Sequence, residues 1–293
     1  MLHTQPLPPR PSRASGLWDI AVRVTEKLQA HNSALLAAGI AMYGLLSVFP
    51  GLAAAVFVYG LFATPADVSR QMAIFAGILP PGAWEIFRAQ LQNVAEHDRG
   101  ALTVAAALGL FVALWSARLT MSALMSATNI AHEVPEKRGF FHQILISLVL
   151  TIGAIVGFIA MLLVGVIVPV VLAVFGTSAW VQETIAIVRW LVLWVFAVIG
   201  LALVYYYAPA RRRARLHYLT WGSTVAATFW VALSAVFGLY VRSFAGYDET
   251  YGALAGVIVL LMWFYLLSFT VVLGAEVNAA MEARRAERLQ PTR

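Results

Sequence analysis

The sequence predicts an all-α integral membrane protein. It would have six transmembrane helices, both termini in the cytoplasm, and an amphipathic helical segment between helices 1 and 2 on the outer side. Three observations carry this prediction. Apolar runs over about 34-63, 101-126, 141-175, 185-208, 217-240 and 253-277 each supply the roughly 20 residues that a helix needs to cross a hydrocarbon core. Alternate gaps between the runs gather Arg10, Arg13, Arg23, Lys27, Lys137, Arg138, Arg211, Arg212, Arg213, Arg215, Arg284, Arg285, Arg288 and Arg293, whereas the other gaps hold only Arg70, Arg88, Arg99 and Arg242. By the positive-inside rule the first set faces the cytoplasm. Finally, the chain is 61% hydrophobic and 12% charged, about half the charged fraction of a soluble domain.

Taken in order, residues 1-15 contain Pro6, Pro8, Pro9 and Pro11 among polar residues and read as a disordered cytoplasmic tail. Residues 16-282 form the six-helix membrane domain, and 283-293 a cytoplasmic basic tail. Within the domain, 16-31 reads as a cytoplasmic helix with Trp18, Val22 and Leu28 toward the membrane surface. The first span contains Pro50 with Ser47 one turn earlier. A proline removes a backbone hydrogen bond, so a bent or broken helix is expected, with Ser47 and Pro50 as its hinge.

Segment 64-100 is the longest gap, broken by Pro80, Pro81 and Gly82. Its second half places Trp84, Phe87, Leu91 and Val94 at helical spacing, which fits an interfacial helix covering the bundle's outer end or a moving lid. The remaining gaps are short, so consecutive spans are expected to be antiparallel neighbours. Gly153 with Gly157, and Gly252 with Gly256, are small-xxx-small pairs that predict close helix packing. No internal repeat relates the two halves.

The polar groups inside the runs are few. Arg118 lies in the inner half of the second span, where a lipid-facing guanidinium would be costly. Ser122, Ser126 and Asn129 follow it at intervals of four, four and three, a polar stripe opening toward the cytoplasm. The functional reading is a cavity for an anionic headgroup; the plainer one is an arginine that snorkels inward. Glu276 ends the sixth span on the same side, and an ion pair with Arg118 would either lock the bundle or relay protons. The candidate substrate-binding set is therefore Arg118, Ser122, Ser126, Asn129 and Glu276. Arg189 is shallow enough to snorkel, and Tyr205, Tyr206 and Tyr207 read as an interfacial belt.

Several function classes are disfavoured. The chain has no cysteine, which removes disulfides and thiolate chemistry. The first 33 residues show no cleavable signal pattern. Its six histidines make no HxxxH or HxH pair, and no Walker or GxGxxG motif occurs, so neither a metal site nor a cofactor is expected. Asp19, Asp67, Asp98 and Asp248 all lie outside the spans, against an intramembrane aspartyl protease. The net charge of +6 follows from topology, so no nucleic-acid partner is expected. Eighteen Arg against two Lys, with abundant Ala, suggests a GC-rich bacterium.

Three stretches resemble the YihY/BrkB family of bacterial inner-membrane proteins. The first is AGIAMYGLLSVFP, Ala38 to Pro50. The second runs from Leu114, Trp115 and Ser116 to Asn129, followed by Glu136, Arg138, Gly139 and Phe140. The third comprises Tyr206, Pro209, Gly222, Tyr240, Tyr251, Gly252, Trp263, Gly274, Ala275, Glu276 and Asn278. The TWGS stretch from Thr220 departs from the family's usual Pro-Gly-Ala turn. The resemblance implies a six-helix protein of the bacterial inner (cytoplasmic) membrane. Members have been labelled ribonuclease BN, a label regarded as mistaken, and a serum-resistance factor, and some are linked to lipid or lipopolysaccharide movement.

The expected function is transport or handling of a lipid or another amphipathic envelope molecule. The alternative is a non-catalytic scaffold or partner subunit in envelope assembly; an enzyme, including a ribonuclease, is not expected. Membrane lipids, an envelope lipid or saccharide-lipid substrate, and a homo-oligomer or envelope partner protein are the partners this reading admits.

Overall fold

A computed structural model describes residues 16–62, 99–174, 179–210, 216–243 and 253–289. Among these residues there are seven α-helices and no strand. They are α1 (Gly16–Ala30), α2 (Ser33–Phe62), α3 (Arg99–Ala131), α4 (Phe140–Val174), α5 (Ala179–Tyr207), α6 (Leu216–Ser243) and α7 (Ala253–Leu289). The six from α2 to α7 are each long and apolar enough to cross a membrane. The interfacial segment expected at 64-100 lies outside the described residues apart from Arg99 and Gly100, which open α3.

The helices pack in chain order, α2 on α3, α3 on α4, α4 on α5, α5 on α6 and α6 on α7. Helix α7 also touches α1, α2 and α3, so it closes the ring and meets more of the other helices than any of them does. The interior is built largely from small residues, among them Ala37, Ala41, Ala127, Ala226, Ala227, Ala275 and Ala280, all essentially inaccessible. Large side chains such as Phe111, Phe141, Phe158, Trp190 and Leu239 face outward. Lipid is as apolar as leucine, so such helices associate through close backbone approach rather than through burial of bulk.

Helices α6 and α7 approach each other closely through two glycines. A Cβ at Gly222 would lie 2.2 Å from the Gly274 carbonyl oxygen, and one at Gly274 would lie 2.3 Å from the Tyr205 hydroxyl. The glycine pair singled out in the sequence behaves otherwise: nothing stands within 4 Å of a Cβ at Gly153 or Gly157. Among the described residues, no helix packs closely against these two glycines. Gly256 is equally open, and Gly252 is outside the described residues.

Two helix boundaries bear on the first span and the basic tail. Helix α2 runs unbroken through Pro50, with the Ser47 hydroxyl donating to the Gly44 carbonyl at 2.7 Å. Helix α7 continues past 283 to Leu289, so the first residues of the basic tail are helical.

Helix α1 is amphipathic. Ile20, Val24 and Leu28 recur every fourth residue and pack on Leu273, Val277, Ala280 and Met281 of α7. Leu28 therefore faces the bundle, while Trp18 and Val22 are exposed. The chain reverses into α2 through Asn32, whose φ of 50° is a left-handed conformation that asparagine tolerates. Its carbonyl accepts from the amides of Leu35 and Leu36, at 2.9 and 3.1 Å.

Candidate functional site

The end of the bundle that carries α1 is held by charges spaced one helical turn apart. Arg23, Lys27 and His31 each meet a glutamate from another part of the chain. Arg23 donates to both carboxylate oxygens of Glu287, at 2.7 and 3.1 Å. Lys27 Nζ donates to Glu133 at 2.8 Å. His31 Nδ1 shares a 2.7 Å hydrogen bond with Glu276 Oε1, and its Nε2 lies 4.0 Å from Glu133. The hydrogen bond from Lys27 holds the Glu133 carboxyl below the usual carboxylate range. The Glu287 hydrogen bond likewise raises Arg23. The first two pairs are partly solvated, whereas the Glu276 side chain is 1% exposed. Its Oε2 has no hydrogen-bond partner among the described residues.

A second set of contacts fastens the α3–α4 connection to the end of α5. Asn129 donates through Nδ2 to Glu136 at 2.9 Å and accepts through Oδ1 from the Ala210 amide at 2.7 Å. Glu136 also accepts from the Arg138 amide at 2.9 Å. The Arg138 guanidinium donates to the Pro209 carbonyl and, at 3.4 Å, to that of Tyr207. Deeper in the bundle, Asn278 accepts from the Gly222 amide at 2.9 Å and Tyr205 donates to the Val271 carbonyl at 2.7 Å. Tyr205 is thus a fully buried cross-helix strut rather than part of an interfacial belt. Tyr206 and Tyr207 stack edge to face beside it.

The residues predicted as one substrate-binding set are not brought together. Asn129 and Glu276 are buried and engaged as above. Arg118 is 8% exposed, lies 4.4 Å from the Trp115 ring, and donates to Ser147 of α4 at 3.4 Å. It does not pair with Glu276. The guanidinium joins α3 to α4 through Ser147, and its Nε has no hydrogen-bond partner among the described residues. Ser122 is half-buried, and Ser126 is exposed with its hydroxyl returned to the Ser122 carbonyl at 3.1 Å.

A further feature among the described residues is an apolar groove of about 450 Å³ along the apolar lengths of two neighbouring helices. Its walls are α4 and α5, with Gly153, Ala154, Gly157 and Phe158 facing Phe196, Gly200, Leu203 and Tyr207. Its floor reaches Met121 and Leu124 of α3 and Val271 of α7. Nothing stands within 4 Å of a Cβ at Gly153, Gly157 or Gly200, so the groove exists because these walls lack side chains. The rim residues Val149, Phe158, Phe196 and Gly200 are exposed and Gly157 is half-buried, which leaves the groove open at the outer surface of the bundle. Sequence reasoning missed this groove by assigning its glycines to helix packing. It missed His31 too, although the four-residue steps from Arg23 and Lys27 mark one face of α1.

A ring of long apolar helices packed through alanines, glycines and buried polar struts defines a multi-pass α-helical membrane protein. A profile of the family described as Virulence factor BrkB matches residues 24–293, and the chain belongs to that family. It is similar to the ribonuclease-like protein YfkH of Bacillus subtilis (strain 168), 30% identical over 260 residues, covering 87% of this chain and 92% of the relative. A UPF0761 membrane protein of Vibrio campbellii is 28% identical over 268 residues, covering 88% and 81%. One from Cronobacter sakazakii is 28% identical over 268 residues, covering 90% and 86%. No solved structure matches the chain.

Proposed function

We propose that this protein handles a lipid or another amphipathic envelope molecule in the bacterial inner membrane, with the α1 end of the bundle in the cytoplasm. One observation carries the reading: an apolar groove opens at the outer surface of the bundle and runs in as far as Val271 of α7. A packed bundle without such a role gains dispersion contacts by filling a space of this kind with side chains. Three glycines keep it open instead. The apolar part of the substrate enters this groove, and the polar part stays near the basic end. In vesicles containing the purified protein, labelled phospholipid or lipid-linked saccharide is expected to cross faster than in protein-free vesicles. Equal rates for both classes would sink the reading.

The second reading, a scaffold for an envelope assembly, draws support from the basic end, where Asn129, Glu136 and Arg138 tie the α3–α4 connection to α5. A stoichiometric partner recovered with the protein, together with inactive vesicles, would favour it. The printed name of the B. subtilis relative raises a ribonuclease. We set that aside for this chain because topology accounts for its basic residues.

A further inference from the structure

We infer that the groove between α4 and α5 takes one acyl chain of an anionic phospholipid, with the lipid phosphate at the Tyr207 end beside Lys137 and Arg138. The inference rests on the lipid-handling reading for its purpose and on three features of the groove for its ligand.

The first is shape. Gly153 and Gly157 lie on one wall and Gly200 on the other, each with open space where a side chain would stand. A neighbouring transmembrane helix is about 10–12 Å across with its side chains and would rest on the rim. It would leave the floor at Met121, Leu124 and Val271 uncovered. A flexible hydrocarbon chain reaches that floor. The volume of about 450 Å³ falls within the roughly 300–1,000 Å³ usual for small-molecule sites.

The second is polarity along the groove. Its lining is apolar apart from the ring ends of Tyr207 and Trp230, so water gains nothing there. The membrane supplies hydrocarbon as the ready occupant.

The third is charge at one end only. Tyr207 lines the groove, and its carbonyl accepts from the Arg138 guanidinium at 3.4 Å. Arg138 shares its charge with Glu136, 3.8 Å away. Lys137 next to it is exposed and makes no ion pair or hydrogen bond among the described residues. A headgroup at this end therefore meets net positive charge, and an anionic lipid is favoured over a zwitterionic one. Each basic residue near such a headgroup contributes about 1 kcal/mol, or roughly fivefold in affinity.

The test is lipid retention by the purified full chain, read by native mass spectrometry after equilibration with equal amounts of phosphatidylglycerol and phosphatidylcholine. One retained phosphatidylglycerol per chain is expected, preferred about fivefold. Gly157→Leu and, separately, Gly153→Leu should abolish retention while melting as wild type does. Lys137→Gln should keep a lipid bound but erase the preference. Excess inorganic phosphate should not displace it, because the chain rather than the headgroup alone is held; displacement would mark a phosphate site instead. Undiminished retention in both leucine variants, or equal retention of the two lipids by wild type, overturns the inference. So does a wild-type dimer that Gly157→Leu dissolves, which would make a second copy the occupant. Selective retention without translocation in vesicles would count against the lipid-handling reading alone.

Discussion

His31 Nδ1 and Glu276 Oε1 meet at 2.7 Å, joining the turn between α1 and α2 to the buried face of α7. Glu276 is fully buried, and His31 is its single hydrogen-bond partner among the described residues. Removing one member of a buried pair strands the other, at a cost of roughly 3–5 kcal/mol. His31→Leu should lie toward the low end because the His31 side chain is 16% exposed. The double variant His31→Leu with Glu276→Leu should be less destabilised than the sum of the singles. Thermal melts of all four proteins in one detergent check this; additive losses would deny the coupling.

The α6–α7 crossing depends on two hydrogen atoms where other residues carry a methyl group. A Cβ at Gly274 would stand 2.3 Å from the Tyr205 hydroxyl and 2.7 Å from the Gly222 carbonyl oxygen. Gly274→Ala should therefore cost at least about 1–3 kcal/mol through overpacking, seen as a lowered Tm. Gly153→Ala meets nothing within 4 Å and should leave Tm unchanged or slightly raised.

The Glu133–Lys27 pair gives a pH signature. Lys27 lowers the Glu133 pKa, so its stabilisation is fully present above the ordinary carboxylate value and is lost as pH falls through the lowered one. Wild type should melt above Glu133→Gln at neutral pH, and the two curves should converge in acid. Glu133 is 65% exposed, so the gap should be small. A gap that widens in acid would reverse the sign.

Asn129 satisfies both a carboxylate and a backbone amide from separate segments. Asn129→Leu leaves the Ala210 amide and Glu136 short of a partner and should cost about 1–3 kcal/mol. Proteolysis of detergent-solubilised protein should then speed up at the α5–α6 connection, whereas Ser126→Ala, on an exposed face, should not alter it.

Much of the fold was legible because the period and length of apolar runs depend on the chain alone. Five of the six spans begin within about four residues of their helices; the fourth, expected from 185, begins at Ala179. The site was legible only in part. Glu276 and Asn129 stood out as polar residues in apolar surroundings, but their partners, His31 and the Ala210 amide, are 245 and 81 residues away in the chain. The two uses of glycine could not be separated either. Gly274 and Gly157 look alike in sequence, yet one admits a neighbouring helix and the other faces an opening. Which applies depends on where the adjacent helix sits.

The most direct measurement of the groove's role is the translocation rate of labelled phospholipid in vesicles holding wild type or Gly157→Leu at equal density. Wild type should exceed protein-free vesicles severalfold, and Gly157→Leu, folded but with the groove filled, should fall to the protein-free rate. A Gly157→Leu rate equal to that of wild type would contradict lipid handling through this groove.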